Sequence, residues 1–588
     1  MPAIVRGYND HTVDNTGVAD VLGRIAKLLD VKGEIRFKSQ AFEKAARLIE
    51  HLDRPVKDLH AAGGVKALMS LPGVGEGIAK KIEEILASGT CKEYEQLKRS
   101  LPPGIEELLA IPHLGPKTAV MLAETLKVKS AADLEKALRA HKVRDLPRMS
   151  DKMEEKLLKG IAMWKGGRQR LGLGRALPLA RAILDRLRRH PGVRDAAYAG
   201  SLRRMRETIG DLDILVTPRR PSDAPAIMQA FTEHDEVADV VAHGETKSSV
   251  RLESGVEADL RVVPPESFGA ALHYFTGSKT HNILIRELGV KKGLRINEYG
   301  VFKGKKHVGG ATEEEVFKAV GLPFIAPELR EGAGEVEAAA AGRLPKLIEP
   351  GDLRGDLHMH TDWSDGKNTI EEMAEAGRAL GYEYVALCDH SESLRVAGGL
   401  EVDRLHKKNK AIDAANRTLK GFRILKGAEV DILESGTLDY PDEVLAELDV
   451  VVVSVHSRFS LDEAAQTRRI CRALANKHVT LLAHPTGRLI NRRDPYAVNL
   501  AEVVKAAADH GKCLELNAQV DRLDLSDGGL KAAKAAGVTV AINTDAHDAA
   551  YLRPGREYGI GMARRGWLEA GDVLNALPLP KLLKRLAR

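Results

Sequence analysis

Apolar positions follow a helical period in the first part of the chain. In residues 19–29 and 41–51, apolar residues recur at three- and four-residue spacing, and glycine and proline separate such segments. We therefore expect an all-α region over residues 1–170.

The period changes near residue 193. Residues 193–199, 212–216 and 256–263 read as strands set among helices, which predicts a mixed α+β domain. A stretch rich in proline, glycine and alanine at 323–350 is typical of an interdomain linker.

Short apolar runs alternate with helical segments beyond residue 350. The runs are residues 384–388, 423–428, 450–455, 479–483, 513–517 and 538–543. This alternation favours a parallel, barrel-like α/β sheet.

Length and composition predict a multidomain globular protein. The 588 residues exceed the size of one domain, and 44% hydrophobic with 29% charged residues excludes a disordered chain. There is no apolar run long enough for a membrane span and no secretory signal at the start, so we expect a cytoplasmic protein. Cys91, Cys388, Cys471 and Cys513 are widely spaced and are expected to be free thiols.

Basic residues are concentrated in the first part of the chain. Residues 1–200 carry 36 Lys and Arg against 25 Asp and Glu, whereas residues 351–588 carry 33 against 35. Such an asymmetry suits a polyanionic ligand, although it is equally compatible with a solvated surface of arginine-rich helices.

Two copies of one short pattern occur in this basic region. Each has an apolar residue, a proline, a glycine-containing turn and a helix, in the segments that start at Leu71 and Ile111, and each resembles the helix-hairpin-helix motif. Glycine lets the backbone approach a phosphate, and the N–H groups of the next helix can bind it. An ordinary αα-hairpin is the alternative; the motif predicts DNA contacts from Gly73, Gly75, Lys80, Lys81, Gly115 and Lys117.

Paired carboxylates lie at the start of the predicted strand 212–216. Asp211 and Asp213 are two residues apart and point to the same face of a strand, so they can share divalent cations, and Asp259 is the best candidate for a third ligand. Gly200, Ser201 and Arg204 lie just before them and suit the phosphates of a nucleotide.

These segments resemble the signatures of family X DNA polymerases, in the family's order, through about residue 320. The matching segments begin at Gly200, Gly210, Gly244, Tyr274 and Ile296. The resemblance implies a palm with catalytic Asp211, Asp213 and Asp259 and with Mg²⁺ or Mn²⁺. It also implies a thumb and a nucleotide site that contains Gly200, Ser201, Arg204, Gly210, Tyr274, Phe275, Gly277, Asn282 and Arg286.

The sequence departs from that family at two places. Glu257 stands where an animal repair member has arginine, and Gly77 replaces a lysine that supports the family's Schiff-base lysine. Lys81 occupies the position of that nucleophile, so 5′-deoxyribose phosphate lyase activity and simple phosphate binding both stay open.

Histidines and carboxylates follow the strands predicted after residue 350. Parallel barrel strands bring their carboxyl ends to one rim, where imidazole and carboxylate suit Zn²⁺, Mn²⁺ or Fe²⁺. The candidates are His358, His360, Asp365, His390, Glu429, His456, His484, Asp545 and His547.

This set resembles the polymerase and histidinol phosphatase (PHP) family, a distorted (β/α)7-like barrel. The resemblance implies three divalent ions, Zn²⁺ and/or Mn²⁺, with Glu429 as a bridge, and a metal-dependent 3′→5′ exonuclease. Arg458 and Arg488 lie near the ligands and either steady a phosphate or lie on the surface.

We therefore expect a monomeric repair polymerase that fills short gaps, takes dNTPs and DNA, and carries a PHP nuclease. The expected divisions are helical domains at 1–90 and 91–172, a palm at 173–264, a thumb at 265–322, a linker at 323–350 and the PHP domain at 351–588. The alternatives are a PHP phosphoesterase whose polymerase half only binds DNA and a DNA-binding scaffold.

Overall fold

The computed structural model divides the chain into two compact units. The first ends at Gln169 and the second runs from Arg170 to Arg588. The structure describes residues 15–32, 36–50, 56–71, 73–109, 111, 114–144, 146, 149–165 and 170–587. No helix in these ranges is long and apolar enough to cross a membrane.

The described part of the first unit is helical throughout, as expected. The apolar sides of its helices share one core that includes Leu22, Ile82, Leu122 and Leu157. The helices are α1 (Asn15–Lys32), α2 (Arg36–Glu50), α3 (Val56–Leu68), α4 (Glu76–Ser88), α5 (Lys92–Arg99), α6 (Ile105–Leu109), α7 (Pro116–Leu126), α8 (Ala131–Arg139) and α9 (Asp151–Lys165).

The second unit starts with a five-stranded mixed sheet in the order β2-β4-β7-β6-β5. Strands β4 and β7 are parallel neighbours, and the other pairs are antiparallel. The elements are β1 (Leu171–Gly172), α10 (Leu173–Arg189), β2 (Val193–Tyr198), α11 (Gly200–Arg203), β3 (Thr208–Ile209), β4 (Asp211–Pro218), α12 (Ala224–Thr232), β5 (Val237–His243), β6 (Lys247–Leu252) and β7 (Glu257–Val262).

A smaller helical and antiparallel region follows the sheet. Its apolar centre includes Ile285, Val301 and Phe317. The elements are α13 (Phe268–Thr276), α14 (Lys279–Lys291), β8 (Leu294–Asn297), β9 (Gly300–Lys303), β10 (Lys306–Gly309), α15 (Glu313–Val320) and α16 (Glu335–Ala340).

The segment expected to be a linker, 323–350, is folded. It contains α16 and a 3-10 turn at Pro327–Leu329, and Arg330 and Glu335 are fully buried. Arg330 donates to Glu313 at 2.6 Å, and Glu335 meets His281 at 2.8 Å. The high glycine and proline content therefore reflects tight turns against the α13–α15 region, and compact packing continues through to the barrel.

The C-terminal region is a seven-stranded, all-parallel sheet in sequential order. A bridge between Met359 of the first strand and Ala546, just after the last strand, brings the two edges together, so the barrel is nearly closed. The elements are β11 (Gly355–Met359), α17 (Ile370–Ala379), β12 (Tyr384–Leu387), α18 (Val402–Thr418), β13 (Arg423–Asp431), α19 (Asp442–Leu445), β14 (Val450–Ser454), α20 (Glu463–Leu474), β15 (Leu481–Leu482), α21 (Leu500–Asp509), β16 (Cys513–Asn517), α22 (Asp527–Ala535), β17 (Val540–Asn543), α23 (Leu552–Arg565) and α24 (Leu579–Leu586).

Helix α24 covers the amino ends of the barrel strands. Leu582 joins the interior cluster, and Leu579 N–H donates to Glu383, which directly precedes β12. The opposite rim, where the strands end, is left to the predicted metal ligands. All four cysteines are free thiols, as expected.

Candidate active sites

Three aspartates meet on one face of the mixed sheet. In the parallel β4–β7 pair, Asp213 lies opposite Asp259 and Asp211 opposite Glu257. Residues two apart share a face, as do residues in register on neighbouring strands. The pKa of Asp213 is raised to about 7, mainly because the carboxyl group is buried and also because the negative charges of Asp211 and Asp259 lie nearby. The sheet thus concentrates negative charge where a cation is needed.

Two residues of β6 hold the third aspartate. Ser249 Oγ donates to Asp259 Oδ1 at 2.5 Å, and Lys247 Nζ lies 2.6 Å from Oδ2. Lys247 was not among the predicted site residues, although it lies within the signature segment that starts at Gly244. Both contacts depend on the antiparallel register of β6 and β7, which places Ser249 opposite Asp259.

Gly200 makes the closest approach to this site. Its φ is +65°, and a Cβ there would lie 2.5 Å from Asp213 Oδ2. The turn therefore requires glycine, and it places Ser201 and the α11 backbone beside the carboxylates. Gly210 directly precedes β4.

Arg204 is engaged in protein contacts rather than open to solvent. Its Nε donates to Glu331 at 3.0 Å and its Nη1 to the Thr276 carbonyl, and the side chain is 13% exposed. These contacts leave Nη2 as the guanidinium nitrogen without a partner among the described residues. The sequence could not reveal them, because Glu331 lies in the expected linker.

The predicted sugar and base contacts cluster where α13 meets α14. Tyr274 and Phe275 lie in the last turn of α13 with ring centroids 5.1 Å apart, and Gly277 follows the helix with φ +67°. Asn282 Nδ2 donates to the Tyr274 carbonyl at 2.6 Å. Arg286, one turn later on α14, is exposed.

The nine predicted metal ligands lie on the carboxyl-terminal rim of the barrel. Each belongs to the end of a strand or to the loop after it. Eight of them form three groups whose ligand atoms lie within 4.8 Å of one another: His360, Asp365, His390 and His547; His358, His360 and Asp545; and His390, Glu429 and His456. The ninth, His484, lies beside Glu429.

Glu429 lies at the centre of this cluster. Its carboxylate oxygens are 2.8 Å from His390 Nδ1, 3.0 Å from His484 Nε2 and 3.3 Å from His456 Nε2. Burial alone would raise the pKa of Glu429, but His390, His456 and His358 hold it well below its usual range. A fully buried, ionised carboxylate among imidazoles is suited to bridge cations.

His360 belongs to two of the three groups. Its Nε2 is 3.1 Å from Asp545 Oδ1, and burial with the neighbouring His547 and His390 lowers its pKa to about 3. Its ring is therefore neutral, as a ligand must be. Asp365 Oδ1 lies 3.3 Å from His547 Nε2 and 3.5 Å from His390 Nε2.

Carboxylates behind the ligands orient their rings. Glu515 Oε1 lies 2.8 Å from His358 Nδ1, and Asp431 Oδ1 lies 2.6 Å from His456 Nδ1. Such partners fix which ring nitrogen faces a metal. Sequence reasoning missed both, although a glutamate within the apolar run of β16 was an available signal.

The rim opens into a pocket of about 280 Å³. Seven of the ligand residues line it together with Leu394, Val396, Ala397 and Arg522. Neither of the arginines considered from the sequence lies in this lining. Arg458 is 64% exposed and pairs with Glu434, whereas Arg488 pairs with Glu207.

Both helical hairpins have glycine at the start of the second helix. Gly75 precedes α4 and Gly115 precedes α7, and no side chain caps either helix. Gly73 has φ +80° with open space around it. The prolines of both turns, Pro72 and Pro112, lie outside the described residues, as does the side chain of Lys117.

Lys81 lines a pocket of about 350 Å³ in the first unit. Lys32, Lys38 and Lys92 share its lining with Glu84 and Glu93. Lys81 Nζ lies 2.9 Å from Glu93 and donates to the Gly77 carbonyl at 3.0 Å. Lys80 points outward, 60% exposed, and pairs with Glu76 at 2.7 Å.

Four family models match the chain. They are a helix-hairpin-helix domain (13–91), a SAM-like helix-hairpin-helix tandem (105–162), the DNA polymerase beta thumb (271–331) and the PHP domain (356–519). The predicted fold class is thereby confirmed: helical hairpins, a thumb, and a barrel of the PHP type.

Relatives of known name match the whole chain or parts of it. DNA polymerase lambda of Rattus norvegicus is 26% identical over 54% of this chain and 56% of its own length. A probable phosphatase of Acetivibrio thermocellus is 34% identical over 28% of this chain and 64% of its own. The DNA polymerase/3'-5' exonuclease PolX of Bacillus subtilis is 42% identical over 95% of this chain and 97% of its own length. The chain belongs to the PolX family.

Proposed function

We propose that the chain is a DNA-directed DNA polymerase that fills short gaps in repair and also degrades DNA 3′→5′ at its barrel. The observation that carries the synthetic role is the register of Asp213 with Asp259, beside Asp211 on one sheet face. The name of the Bacillus subtilis relative contains both activities.

The three aspartates suit a pair of Mg²⁺ or Mn²⁺ ions. Burial and the neighbouring carboxylates of Asp211 and Asp259 raise the pKa of Asp213. A nearby cation would stabilise the ionised form of this carboxylate. When bound, such ions lower the pKa of the attacking 3′-hydroxyl and neutralise the leaving pyrophosphate. Lys247 and Ser249 keep Asp259 turned toward the site.

The surrounding residues orient the nucleotide. The Gly200 turn, Ser201 and Gly210 lie against the phosphates, with Arg204 at their edge. Tyr274, Phe275 and Gly277 line the sugar and disfavour a 2′-hydroxyl. Asn282 meets the minor-groove edge of the base, and Arg286 the template side.

The barrel rim suits three divalent ions, Zn²⁺ and/or Mn²⁺. His358, His360, Glu429 and Asp545 hold one ion, Glu429, His456 and His484 the second, and Asp365, His390 and His547 the third. Ions bound there would activate water near neutral pH and neutralise charge on the phosphodiester. Arg522 lines the pocket, whereas Arg458 and Arg488 do not. We therefore assign phosphate binding to Arg522.

The hairpins hold the DNA backbone without reading sequence. Gly73, Gly75 and Gly115 let phosphates approach uncapped helix starts, and Lys80, Lys81 and Lys117 add positive charge. The proposed division is DNA binding at 1–90 and 91–172, palm 173–264, thumb 265–322 and nuclease 351–588, in a monomer that takes dNTPs.

A gapped duplex tests the polymerase, and metal analysis tests the barrel. The purified chain should extend the primer through the gap with Mg²⁺ or Mn²⁺, and elemental analysis should find bound ions that Glu429→Ala reduces. Failure to extend any primer would favour the alternative, in which the chain is a PHP phosphoesterase and its polymerase half only binds DNA. Faster hydrolysis of a small phosphate ester than of 3′-recessed DNA would point the same way.

The lysine pocket favours a second activity, removal of a 5′-deoxyribose phosphate. Lys81 carries the nucleophile, and the neighbouring lysines bind the phosphate. Borohydride should trap the chain on an incised abasic site. Unchanged trapping by Lys81→Ala would rule this activity out at Lys81.

A further inference from the structure

The last residue of barrel helix α23 contacts the turn that carries Arg204. Arg565 Nη1 donates to the Arg204 carbonyl at 2.9 Å and to Glu331 Oε1 at 2.7 Å, and its Nη2 donates to Asp527. The Arg565 side chain is 2% exposed. All of its guanidinium contacts therefore lie inside the protein.

Glu331 is shared between two arginines. The same oxygen that accepts from Arg565 accepts from Arg204 Nε at 3.0 Å. Burial alone would raise the pKa of Glu331, but Arg565 and Arg204 hold it below its usual value. Glu331 is thus an ionised group with two competing partners.

The charge of this cluster depends on Arg565. Arg204, Arg565 and Arg206, which lies 3.9 Å from Glu331, face the carboxylates of Glu331 and Asp527. Among these five groups, the three cations exceed the two anions by one positive charge. Without Arg565 the charges would cancel, and Glu331 would have one close partner instead of two.

The same helix supports the turn by shape. A Cβ on Gly561 would lie 2.4 Å from Met205 Cε and 3.3 Å from Met205 Cβ. Met205 itself has φ +55°, a left-handed conformation that its surroundings must hold. The barrel therefore contacts this turn at Arg204 and at the next residue, Met205.

We propose that Arg565, in the nuclease half, is a positioning residue of the polymerase site. It satisfies Glu331 and the Arg204 carbonyl, so that the Gly200 turn keeps the geometry and net positive charge that bind the triphosphate of an incoming nucleotide. This inference rests on the proposed role of Arg204.

Steady-state primer extension by the full chain tests it. Arg565→Met should raise KM for dNTP about tenfold, as expected for loss of one charge-assisted contact, while kcat changes less than about twofold. Arg565→Lys should recover most of the affinity. Degradation of single-stranded DNA should stay unchanged, because Arg565 contacts none of the rim ligands.

Arg564→Met is the matched control. Arg564 is the preceding residue of α23, and its hydrogen bonds go to Glu328 at 2.8 Å, to Glu349 and to the Ile348 carbonyl instead of the Gly200 turn. Its KM for dNTP should equal that of the unsubstituted chain. An equal rise in KM for both variants would overturn the inference, because general loosening of the interface would explain it.

Arg204→Ala separates this inference from the proposed function. If it raises KM and Arg565→Met does not, the inference is wrong and the role of Arg204 stands. If Arg204→Ala leaves KM unchanged, the role of Arg204 is wrong. Should Arg565→Met fail to fold by circular dichroism, Arg565→Gln decides: a raised KM supports the inference, and an unchanged KM overturns it.

Discussion

At the scale of single residues, spacing located the acids but not the groups that hold them. Asp211 and Asp213 follow from strand alternation, and Asp259 from a polar position in the next parallel strand. Lys247, Ser249 and Glu331 reach the site through strand register and a long-range contact, which no local pattern encodes. The same holds for the barrel. Its metal ligands could be recognised in the sequence, whereas Glu515 and Asp431, which orient the ligand histidines, could not.

Asp213→Asn should stabilise the metal-free protein while ending synthesis. The substitution removes a charge that burial and two neighbouring aspartates disfavour, so unfolding in EDTA at pH 8 should shift up by about 2–4 °C. Primer extension should disappear. Thermal denaturation and a gapped-duplex assay on the same preparation measure both, and a lower unfolding temperature would contradict the proposed repulsion.

Asp431→Asn should weaken the barrel site without removing a ligand. Asn cannot hold His456 Nδ1–H as a carboxylate does, so affinity for the metal should fall about 10–100-fold. Nuclease activity should return when Mn²⁺ is raised in proportion. Loss of activity that no Mn²⁺ concentration restores would show that Asp431 does more than orient the ring.

At the scale of elements, hydrophobic periodicity predicted most strands and helices, whereas the residues at which they begin and end depend on packing. The run 479–483 became only Leu481–Leu482, because the chain turns directly into the loop that carries His484. The expected linker folded because its charged residues pair with buried partners, a property that composition does not show.

A buried ion pair ties α18 to the rim. Lys408 Nζ lies 2.9 Å from Asp389 Oδ2, both side chains are fully buried, and Lys408 also donates to the Leu387 and Gly427 carbonyls. Lys408→Met should destabilise the barrel by about 3–5 kcal/mol, because Asp389 is left unpaired. Chemical denaturation measures this, and the added Asp389→Asn substitution should recover much of the loss. No recovery would mean that the carbonyl contacts dominate.

The first hairpin turn should bind DNA through its backbone. Gly73→Ala introduces strain at φ +80° and a methyl group at the phosphate-facing turn, so DNA affinity should fall severalfold. Gly255→Ala is the control, because Gly255 has φ +81° and equally open surroundings in the β6–β7 turn. Fluorescence anisotropy with a gapped duplex should separate the two variants, and equal affinities would exclude this turn from the DNA contact.

At the scale of the whole molecule, the sheet that carries the aspartates and the barrel form one compact unit from Arg170 onward. Arg181 pairs with Glu557 and Arg488 with Glu207 across their boundary, and Arg564 pairs with Glu328 of the folded 323–350 segment. Motifs predicted both halves separately. Their packing could not be predicted, because the pairs join residues more than two hundred positions apart.

The account depends on two chemistries with separate residues in one chain. The most direct test incubates an end-labelled primer on a gapped template, with dNTPs and Mn²⁺, and resolves products longer and shorter than the primer. Asp213→Asn should give only shortened products and Glu429→Gln only extended ones. If either substitution removes both sets of products while the protein stays folded, the two sites are not independent, and the account is contradicted.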